Sequence, residues 1–325
     1  MAQHFLLSAA ARTLSLSQVL RMSDAEAHAT FVAIRWADNE GKPYCPKCGC
    51  AAVYARTDRQ IWRCKGCRGD FSVTSGTIFA NRKLPHRDYL AAIALFVNGA
   101  KGVSALQLGR DLDVQYKTAF VLAHKLREAM GSSLDNGDQL AGVVEVDGAY
   151  FGGHVKPENK KEDRKDRRTT EEQTGKKRVV VVIREREGRA LPFIFGKESD
   201  AIPTIKAIVT PDTVVHADES RMWDKLHGSF DTMRVNHSVE YKGADGACTN
   251  QAESFFSRMR RAEIGTHHRI SGRHLDCYAN EMAWRENNRR TSTGAQWNAT
   301  TAAALAHPVS TRWAGYWNRA RKVAA

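Results

Sequence analysis

The sequence predicts a multidomain protein in which a small cysteine-containing module comes first, an all-α segment follows and an α/β domain forms the second half. Two closely spaced cysteine pairs mark the first part. Apolar residues at helical spacing mark the second part. From residue 140 onward, short apolar strands alternate with helices, which is typical of an α/β domain. A chain of 325 residues is long enough for about two domains of ordinary size.

Composition excludes several classes of protein. Hydrophobic residues make up 42% of the chain and charged residues 26%, so a largely disordered protein is not expected. The longest clean apolar run, at residues 89–97, is well short of the ~20 residues that a membrane-spanning helix needs. The N-terminal stretch is too short and broken for a secretory signal, and a helical arm is predicted over 1–40. We therefore expect a cytoplasmic protein that makes no membrane contact.

The charge balance points to a partner rich in phosphate. Lys and Arg number 49 against 36 Asp and Glu, which gives a net charge of +13. The basic residues are spread over several segments, whereas a membrane-surface protein would concentrate them on one amphipathic helix. Nucleic acid is the favoured partner.

The cysteines predict a structural metal site rather than a disulfide framework. Four of the seven form two C-x-x-C pairs, Cys45 with Cys48 and Cys64 with Cys67, with fifteen residues between the pairs. Two such pairs on adjacent turns bring four thiolates together in the tetrahedral geometry that Zn²⁺ prefers. We predict a zinc ribbon over 41–80 that folds only with its metal, with Cys50 as a bystander.

The next segment, 81–133, is predicted to hold three helices, near 87–97, 103–110 and 115–130. A short helix, a tight turn and a longer helix in this order resemble a helix-turn-helix, whose second helix reads the major groove of DNA. A plain three-helix bundle fits the same periodicity and remains the alternative. The candidate DNA-contacting residues on or near the exposed face are Gln115, Tyr116, Lys117 and Lys125.

An α/β domain is predicted over 140–290, after a linker at 134–139. Its expected strands are 140–147, 177–185, 190–195, 213–218 and 233–236, and its expected helices are 201–209, 250–261 and 273–288. Between the first two strands, residues 154–178 are rich in charge and almost free of apolar side chains, so a mobile basic insertion is predicted there. The last segment, 291–325, is predicted to be a C-terminal tail.

Three acidic residues stand out by their placement in this domain. Asp147 and Asp218 are each expected at the end of an apolar strand, and Glu253 lies on the following helix with Asn250 one turn earlier on the same face. Carboxylates that converge from different elements suit hard cations such as Mg²⁺ or Mn²⁺. Two such ions can activate an attacking oxygen and stabilise a leaving oxygen at a phosphodiester. Glu145, on the same strand face as Asp147, is a weaker candidate.

Basic residues follow the third acidic position. Phosphate contact is a candidate role for Arg258, Arg260, Arg261, His267 and His268. His216, in the middle of a strand, is expected to be a packed histidine rather than a ligand.

Several motifs together resemble one family. They are Arg35-Trp36, Cys45-Pro-Lys-Cys48, the stretch 71–79 (FSVTSGTIF), the stretch 146–153 (VDGAYFGG), His216-Ala-Asp218, Asn250-Gln-Ala-Glu253, the stretch 264–271 (IGTHHRIS) and the stretch 278–285 (YANEMAWR). In these motifs the chain resembles the zinc-ribbon insertion-sequence transposases with an RNase H-like DDE domain, specifically the insertion-sequence 1595 family of ISXO type. The resemblance covers nearly the whole chain.

The resemblance implies a DDE-type enzyme that binds the ends of its insertion sequence, cleaves DNA and joins 3′-OH ends to a target. Asp147, Asp218 and Glu253 would hold the catalytic Mg²⁺ or Mn²⁺ ions, and Asn250 would be a neighbouring ligand or substrate contact. Whether Asn250 or Glu253 fills the third position stays open. Double-stranded DNA would be the partner, with a homodimer or larger assembly on it, in the bacterial nucleoid. A non-catalytic regulator and a metal-dependent nuclease are the alternatives.

Overall fold

A computed structural model describes residues 4–56, 60–134, 137–153, 158–165, 175–235, 243 and 246–323. The chain divides into two compact units, the first formed by Met1–Ser133 with Asn288–Ala325 and the second by Leu134–Asn287. Within the described ranges, no helix has both the length and the hydropathy needed to span a bilayer.

The regular elements follow the predicted order. The helices are α1 (Leu16–Leu20), α2 (Asp24–Arg35), α3 (His86–Asn98), α4 (Ala105–Asp111), α5 (Tyr116–Ser132), α6 (Ile202–Ile208), α7 (Asn250–Ala262), α8 (Leu275–Asn287), α9 (Thr293–Ala306) and α10 (Tyr316–Val323). The strands are β1 (Val53–Arg56), β2 (Ile61–Cys64), β3 (Asp70–Ser72), β4 (Val143–Gly152), β5 (Lys177–Glu185), β6 (Ala190–Phe195), β7 (Val214–Asp218) and β8 (Asp231–Val235).

In the first unit, α2 is fastened to a three-stranded antiparallel ribbon of order β1-β2-β3. The helix starts at a capping box in which the Ser23 side chain accepts from the Glu26 N–H. At its other end the guanidinium of Arg35 donates to backbone carbonyls that follow β3, those of Ser72, Val73 and Ser75. Trp36 is buried and packs edge-on against the ring of Trp62. The Arg35-Trp36 motif therefore joins the ribbon to the helical part of the unit.

The segment from residue 291 onward is part of the first unit rather than a separate tail. The backbone N–H groups of Thr13 and Leu14 donate to the Thr293 hydroxyl at 3.1 and 3.0 Å. The buried indole of Trp297 donates to the Leu90 carbonyl at 3.0 Å. The sequence predicts a tail because α9 is mostly alanine and threonine, which mark no obvious core-facing stripe.

The second unit is built on a five-stranded sheet of order β6-β5-β4-β7-β8. The β4–β5 and β5–β6 pairs are antiparallel, whereas the β4–β7 and β7–β8 pairs are parallel. Helix α7 packs against β4 and β5, and α8 packs against β6. The sheet thus holds β4 at its centre, with the strand that carries Asp218 directly beside it.

The sequence predicts that the first strand of this sheet ends at Asp147, and this is wrong. β4 continues to Gly152 because β5 pairs with it along its whole length, ending at the Gly152–Lys177 pair. Asp147 therefore lies in the middle of the strand. Of the predicted insertion 154–178, Lys177 and Arg178 already belong to β5, and 154–157 and 166–174 lie outside the described residues. Its mobility stays a prediction.

Candidate active site and metal centre

Asp147 and Asp218 lie side by side on adjacent parallel strands. The β4–β7 register pairs Val146 with Ala217, so the two aspartates follow at the same level, on strands ~4.8 Å apart. Asp147 Oδ1 accepts from the Gly148 N–H at 2.7 Å, and Asp218 Oδ1 accepts from the Ser220 N–H at 3.1 Å. Among the described residues, neither aspartate forms an ion pair.

Helix α7 brings the third predicted acid to the same place. Asn250 is the first residue of the helix, and Glu253 lies one turn later with its side chain half-buried. Electrostatic repulsion from Glu253 contributes to the raised pKa of Asp147. Asp147, Asp218 and Glu253 thus come from three elements and lie near enough for Asp218 and Glu253 to repel Asp147, whereas their role as a metal site stays a prediction.

A fourth carboxylate, Glu198, adjoins these acids and is absent from the sequence-based candidates. It begins the short 3₁₀ turn Glu198–Ala201 that follows β6. Its side chain lies against Gly148, where an added Cβ would come within 2.8 Å of Glu198 Cγ and Oε1. Glycine after Asp147 therefore leaves the room that this carboxylate occupies. No sequence signal marks Glu198, because its approach depends on how the turn folds back over β4.

Burial and crowding of like charges raise the pKa values of two carboxylates in the site. Burial, followed by repulsion from Asp218, Glu253 and Glu198, raises the pKa of Asp147 to about 7 against the effect of the Gly148 hydrogen bond. Burial and repulsion from Asp218 also raise the pKa of Glu198. A divalent ion held between these carboxylates would relieve their mutual repulsion.

The donor set fits hard divalent cations. The four side chains offer only carboxylate oxygens, the ligands that Mg²⁺ and Mn²⁺ prefer. The carboxylates of Asp147, Asp218 and Glu253 do not all lie within 4.8 Å of one another in the described structure. Two ions ~3.5–4 Å apart are bridged and flanked by ligands that need not all meet at one point.

Glu145, the weaker sequence candidate, has a different role. Its fully buried carboxylate accepts the backbone N–H groups of Gln251 and Ala252 at 2.8 and 3.0 Å. Arg186 approaches its other oxygen at 3.4 Å. The helix itself has no side-chain cap at Thr249, so this strand residue supplies the missing anionic cap of α7. Glu145 thereby fixes the helix that carries Glu253 relative to the strand that carries Asp147.

We expect Glu145→Ala to destabilise the second unit by about 3 kcal/mol, because it leaves Arg186 and two helix N–H groups without their buried acceptor. Chemical denaturation of the full chain, followed by circular dichroism, measures this loss. Glu145→Gln, which keeps one acceptor oxygen, is expected to lose less. Equal stability of Glu145→Ala and the unmodified chain would contradict the capping role.

His216 is a packed histidine, as the sequence predicts. It is buried on β7, and its Nδ1 lies 3.0 Å from the Cys248 backbone N and 3.1 Å from Arg186 Nη2. Cys248 and Arg186 also lie beside the Glu145 carboxylate that caps α7. His216 therefore supports the segment leading into α7.

The basic residues after Glu253 do not share one environment. Arg258 forms an ion pair with the buried carboxylate of Glu286, which also binds Arg184 at 2.9 Å. Arg258 thus ties α7 to α8, and its predicted DNA contact would compete with this pair. Arg260, Arg261 and His268 are exposed, whereas the ring of His267 packs edge-on against Tyr278.

The predicted zinc ligands converge in the first unit. The sulfur atoms of Cys45, Cys48, Cys64 and Cys67 all lie within 4.8 Å of one another. The Cys45–Cys67 and Cys48–Cys64 sulfur pairs are each 3.6 Å apart. Tetrahedral Zn–S bonds of ~2.3 Å place sulfurs ~3.8 Å apart, so the cluster fits zinc. A hydrogen bond from the Cys67 backbone N–H lowers the pKa of Cys64, whereas the Cys64 thiol, against a backbone hydrogen bond at Cys50, contributes to a raised pKa of Cys48. Cys50 lies outside the cluster, as predicted.

Comparison with known proteins assigns the chain to a family. The ISXO2-like transposase domain of the insertion-sequence 1595 family matches residues 139–287, and the transposase zinc-ribbon domain of the same family matches residues 22–69. The chain belongs to the insertion-sequence 1595 family of transposases. The two matched regions contain the acidic cluster and the four-cysteine cluster, respectively.

Individual relatives of this transposase-family chain come from two organisms. An uncharacterized protein in transposable element ISH50 of Halobacterium salinarum is 24% identical over 253 residues, 74% of this chain and 83% of that protein. An uncharacterized transposase-like protein of Haemophilus influenzae is 31% identical over 88 residues, 27% of this chain and 70% of that protein. A crystal structure of the Mos1 strand transfer complex covers 66% of this chain and 78% of its own, with 11% identity and a TM-score of 0.26.

Proposed function

We propose that this family member is a DDE transposase that binds the ends of its insertion sequence, cleaves the DNA and joins the 3′-OH ends to target DNA. The observation that supports the proposal is that Asp147 and Asp218 lie at the same level on adjacent parallel strands, with Glu253 and Glu198 beside them. The sheet order, three antiparallel strands followed by two strands parallel to the first, also supports an RNase H-like domain.

The acidic cluster performs the chemistry by positioning and charge. Asp147 and Asp218 would hold two divalent ions, with Glu253 as the third ligand and Asn250 as a neighbouring contact. Bound there, the ions would activate the attacking oxygen and neutralise the charge that develops on the scissile phosphate. The carboxylates would hold the ions, and Glu145 fixes the start of α7, which carries Glu253, relative to the strand that carries Asp147. Catalysis of this kind requires no covalent protein intermediate.

Glu198 is proposed as an additional acid of the same site. We expect Glu198→Gln to weaken Mn²⁺ binding and to slow joining roughly tenfold, because the side chain stays in place while one negative charge is lost. Mn²⁺ is titrated into protein that retains its zinc but has no metal at the acidic cluster. This titration measures the Mn²⁺ affinity independently of activity. Asp212→Asn, an exposed acid outside the turn that carries Glu198, is the matched control. Unchanged Mn²⁺ affinity of Glu198→Gln would exclude Glu198 from the site.

End binding is proposed for α4 and α5 as a helix-turn-helix. The helices approach closely at Gly109, where an added Cβ would lie 3.1 Å from the Val114 carbonyl and 3.5 Å from Ala119 Cβ. Gln115, Tyr116 and Lys117 are exposed at the start of α5. The first turn of the second helix is where such motifs contact bases.

We expect full-chain binding to end DNA to weaken steeply as salt rises, because phosphate contacts release counterions. Gln115→Ala should reduce the preference for end DNA over unrelated DNA roughly tenfold without changing the salt slope, since it removes a base contact only. Fluorescence anisotropy at several salt concentrations measures both quantities. Gln107→Ala on the exposed side of α4 is the control. An unchanged preference in Gln115→Ala would remove this residue from base readout.

The experiment that tests the function joins a labelled DNA fragment carrying the element end to a plasmid, with the full-length zinc-loaded protein and Mg²⁺. Labelled joined product is the expected result. Cleavage without joining would favour the metal-dependent nuclease, and binding without either reaction would favour the regulator. Mixing chains of two sizes in the same reaction tests whether a homodimer or larger assembly forms on the DNA.

A further inference from the structure

The first unit contains a cavity of about 340 Å³ that the acidic cluster and the zinc ribbon do not use. Its walls come from the loop before α3, from the first half of α5 and from the segment leading into α10. Cavities that bind small organic groups start at ~300 Å³. The space therefore suits a group of about the size of one nucleotide.

The charged side chains that line this cavity are all cationic, although Glu128 lies near enough to Lys125 to interact with it electrostatically. The cationic side chains that line it are those of Arg82, Lys83, Lys117 and Lys125, and no Asp or Glu lines it. Within the described part of the chain, none of the four forms an ion pair. Lys125 is half-buried in the wall, and burial lowers the pKa of its ammonium against the opposing effect of Glu128. The cavity therefore attracts an anion.

Aromatic rings form the opposite wall. Tyr316 and Trp317 line the cavity and are half-buried. The Trp317 indole donates to the Lys117 carbonyl at 3.2 Å, and the Lys117 ammonium lies 5.5 Å from the Trp317 ring centre. Phe120 packs behind Trp317 with ring centres 5.7 Å apart. The rings are thus held in place beside the cations before any ligand arrives.

We propose that this cavity binds one unpaired nucleotide of a DNA strand, with its base against Tyr316 and Trp317 and its phosphates against the four cations. Aromatic rings next to Lys and Arg are the combination that binds single-stranded nucleic acid without sequence preference. The cavity begins at the exposed first turn of α5, so a strand contacting Gln115 and Lys117 reaches it without leaving the unit. This inference rests on the proposed DNA binding but not on the proposed chemistry.

The test measures binding of a fluorescent single-stranded oligonucleotide and of the matching duplex to the full-length zinc-loaded protein, without added Mg²⁺. Trp317→Ala is expected to weaken single-strand binding roughly tenfold and duplex binding much less, because one stacking surface is lost. Trp317→Phe should restore most of the single-strand affinity. Lys83→Ala, at an exposed site in the cavity wall and outside the proposed helix-turn-helix contact, should weaken it more than Lys101→Ala, an exposed lysine outside the cavity.

A second readout locates the contact directly. An oligonucleotide carrying 5-iodo-2′-deoxyuridine, irradiated in the complex, is expected to cross-link to the peptide that contains Tyr316 and Trp317. Equal single-strand affinity of Trp317→Ala and the unmodified chain, or cross-links only elsewhere, would overturn the inference while leaving the joining assay unaffected. Stronger competition by polyglutamate than by unlabelled oligonucleotide would overturn it in favour of an acidic peptide. Failure to bind either form of DNA would overturn both this inference and the proposed DNA binding.

Discussion

Asp147→Asn is expected to reduce DNA cleavage and joining at least 100-fold while leaving end binding and folding intact. The amide keeps the shape of the side chain but removes the anion that holds a divalent ion beside Asp218. Asp218→Asn should behave in the same way. Gel analysis of cleaved and joined products with Mg²⁺ measures the loss, and anisotropy with the same DNA supplies the binding control. Full activity of either variant would contradict the site.

The same substitution should not destabilise the metal-free protein. The raised pKa of Asp147 means that ionisation costs folding stability as pH rises from about 4 to about 7, and the cost stays constant at higher pH. Asn carries no charge, so thermal unfolding at pH 8 should occur at an equal or higher temperature in Asp147→Asn. A lower melting temperature would indicate that loss of activity reflects misfolding.

Two variants on one face of α7 distinguish which residue is the third metal ligand. Glu253→Gln should be as severe as Asp147→Asn, whereas Asn250→Ala should be milder, because a full charge holds a divalent ion better than an amide. The reverse order would assign the third position to Asn250. Mn²⁺ should replace Mg²⁺, and Ca²⁺ should support binding with little turnover because its larger coordination shell does not enforce the required geometry.

Cys64→Ser is expected to release zinc and unfold the ribbon around residues 40–75. Structural zinc contributes ~10 kcal/mol or more in small modules, so binding and folding of the ribbon are one event. Metal analysis should find about one zinc per unmodified chain and none in the variant. Exposure of Trp36 and Trp62, which pack against each other beside the cluster, should shift tryptophan emission to longer wavelength.

Cys50→Ser is the matched control for this effect. Cys50 lies two residues after Cys48 but outside the four-sulfur cluster. The Cys50→Ser variant should therefore retain zinc and the native tryptophan emission. Loss of zinc from Cys50→Ser as well would show that Cys50 is a ligand. A purified unmodified chain without zinc would contradict the ribbon altogether.

Local patterns carry the parts of this fold that the sequence predicts. The C-x-x-C spacing specifies the sulfur cluster, and apolar runs followed by acids mark β4 and β7. The end of β4 was not predictable, because its last five residues are ordered by pairing with β5, beyond the charged insertion. Residues 291–325 belong to the first unit through single contacts such as the hydrogen bond from Trp297 to Leu90. A contact between residues so far apart in sequence leaves no hydrophobic periodicity from which it could be predicted.

The acidic residues show the same limit. Asp147, Asp218 and Glu253 are recognisable because each stands next to an apolar strand or at a helix start. Glu198 reaches them only through a turn that folds over Gly148, and Glu145 caps a helix about a hundred residues away in sequence. Strand alternation places Glu145 and Asp147 on one face, but it does not distinguish a helix cap from a metal ligand.

The most direct test of the central claim counts divalent ions in the acidic cluster. Electron paramagnetic resonance of Mn²⁺, titrated into the zinc-loaded full chain with end DNA present, reports bound and free metal separately. About two tightly bound Mn²⁺ per unmodified chain are expected, and both should be lost or greatly weakened in Asp147→Asn and Asp218→Asn. The same number of equally tight Mn²⁺ sites in those variants would contradict the account.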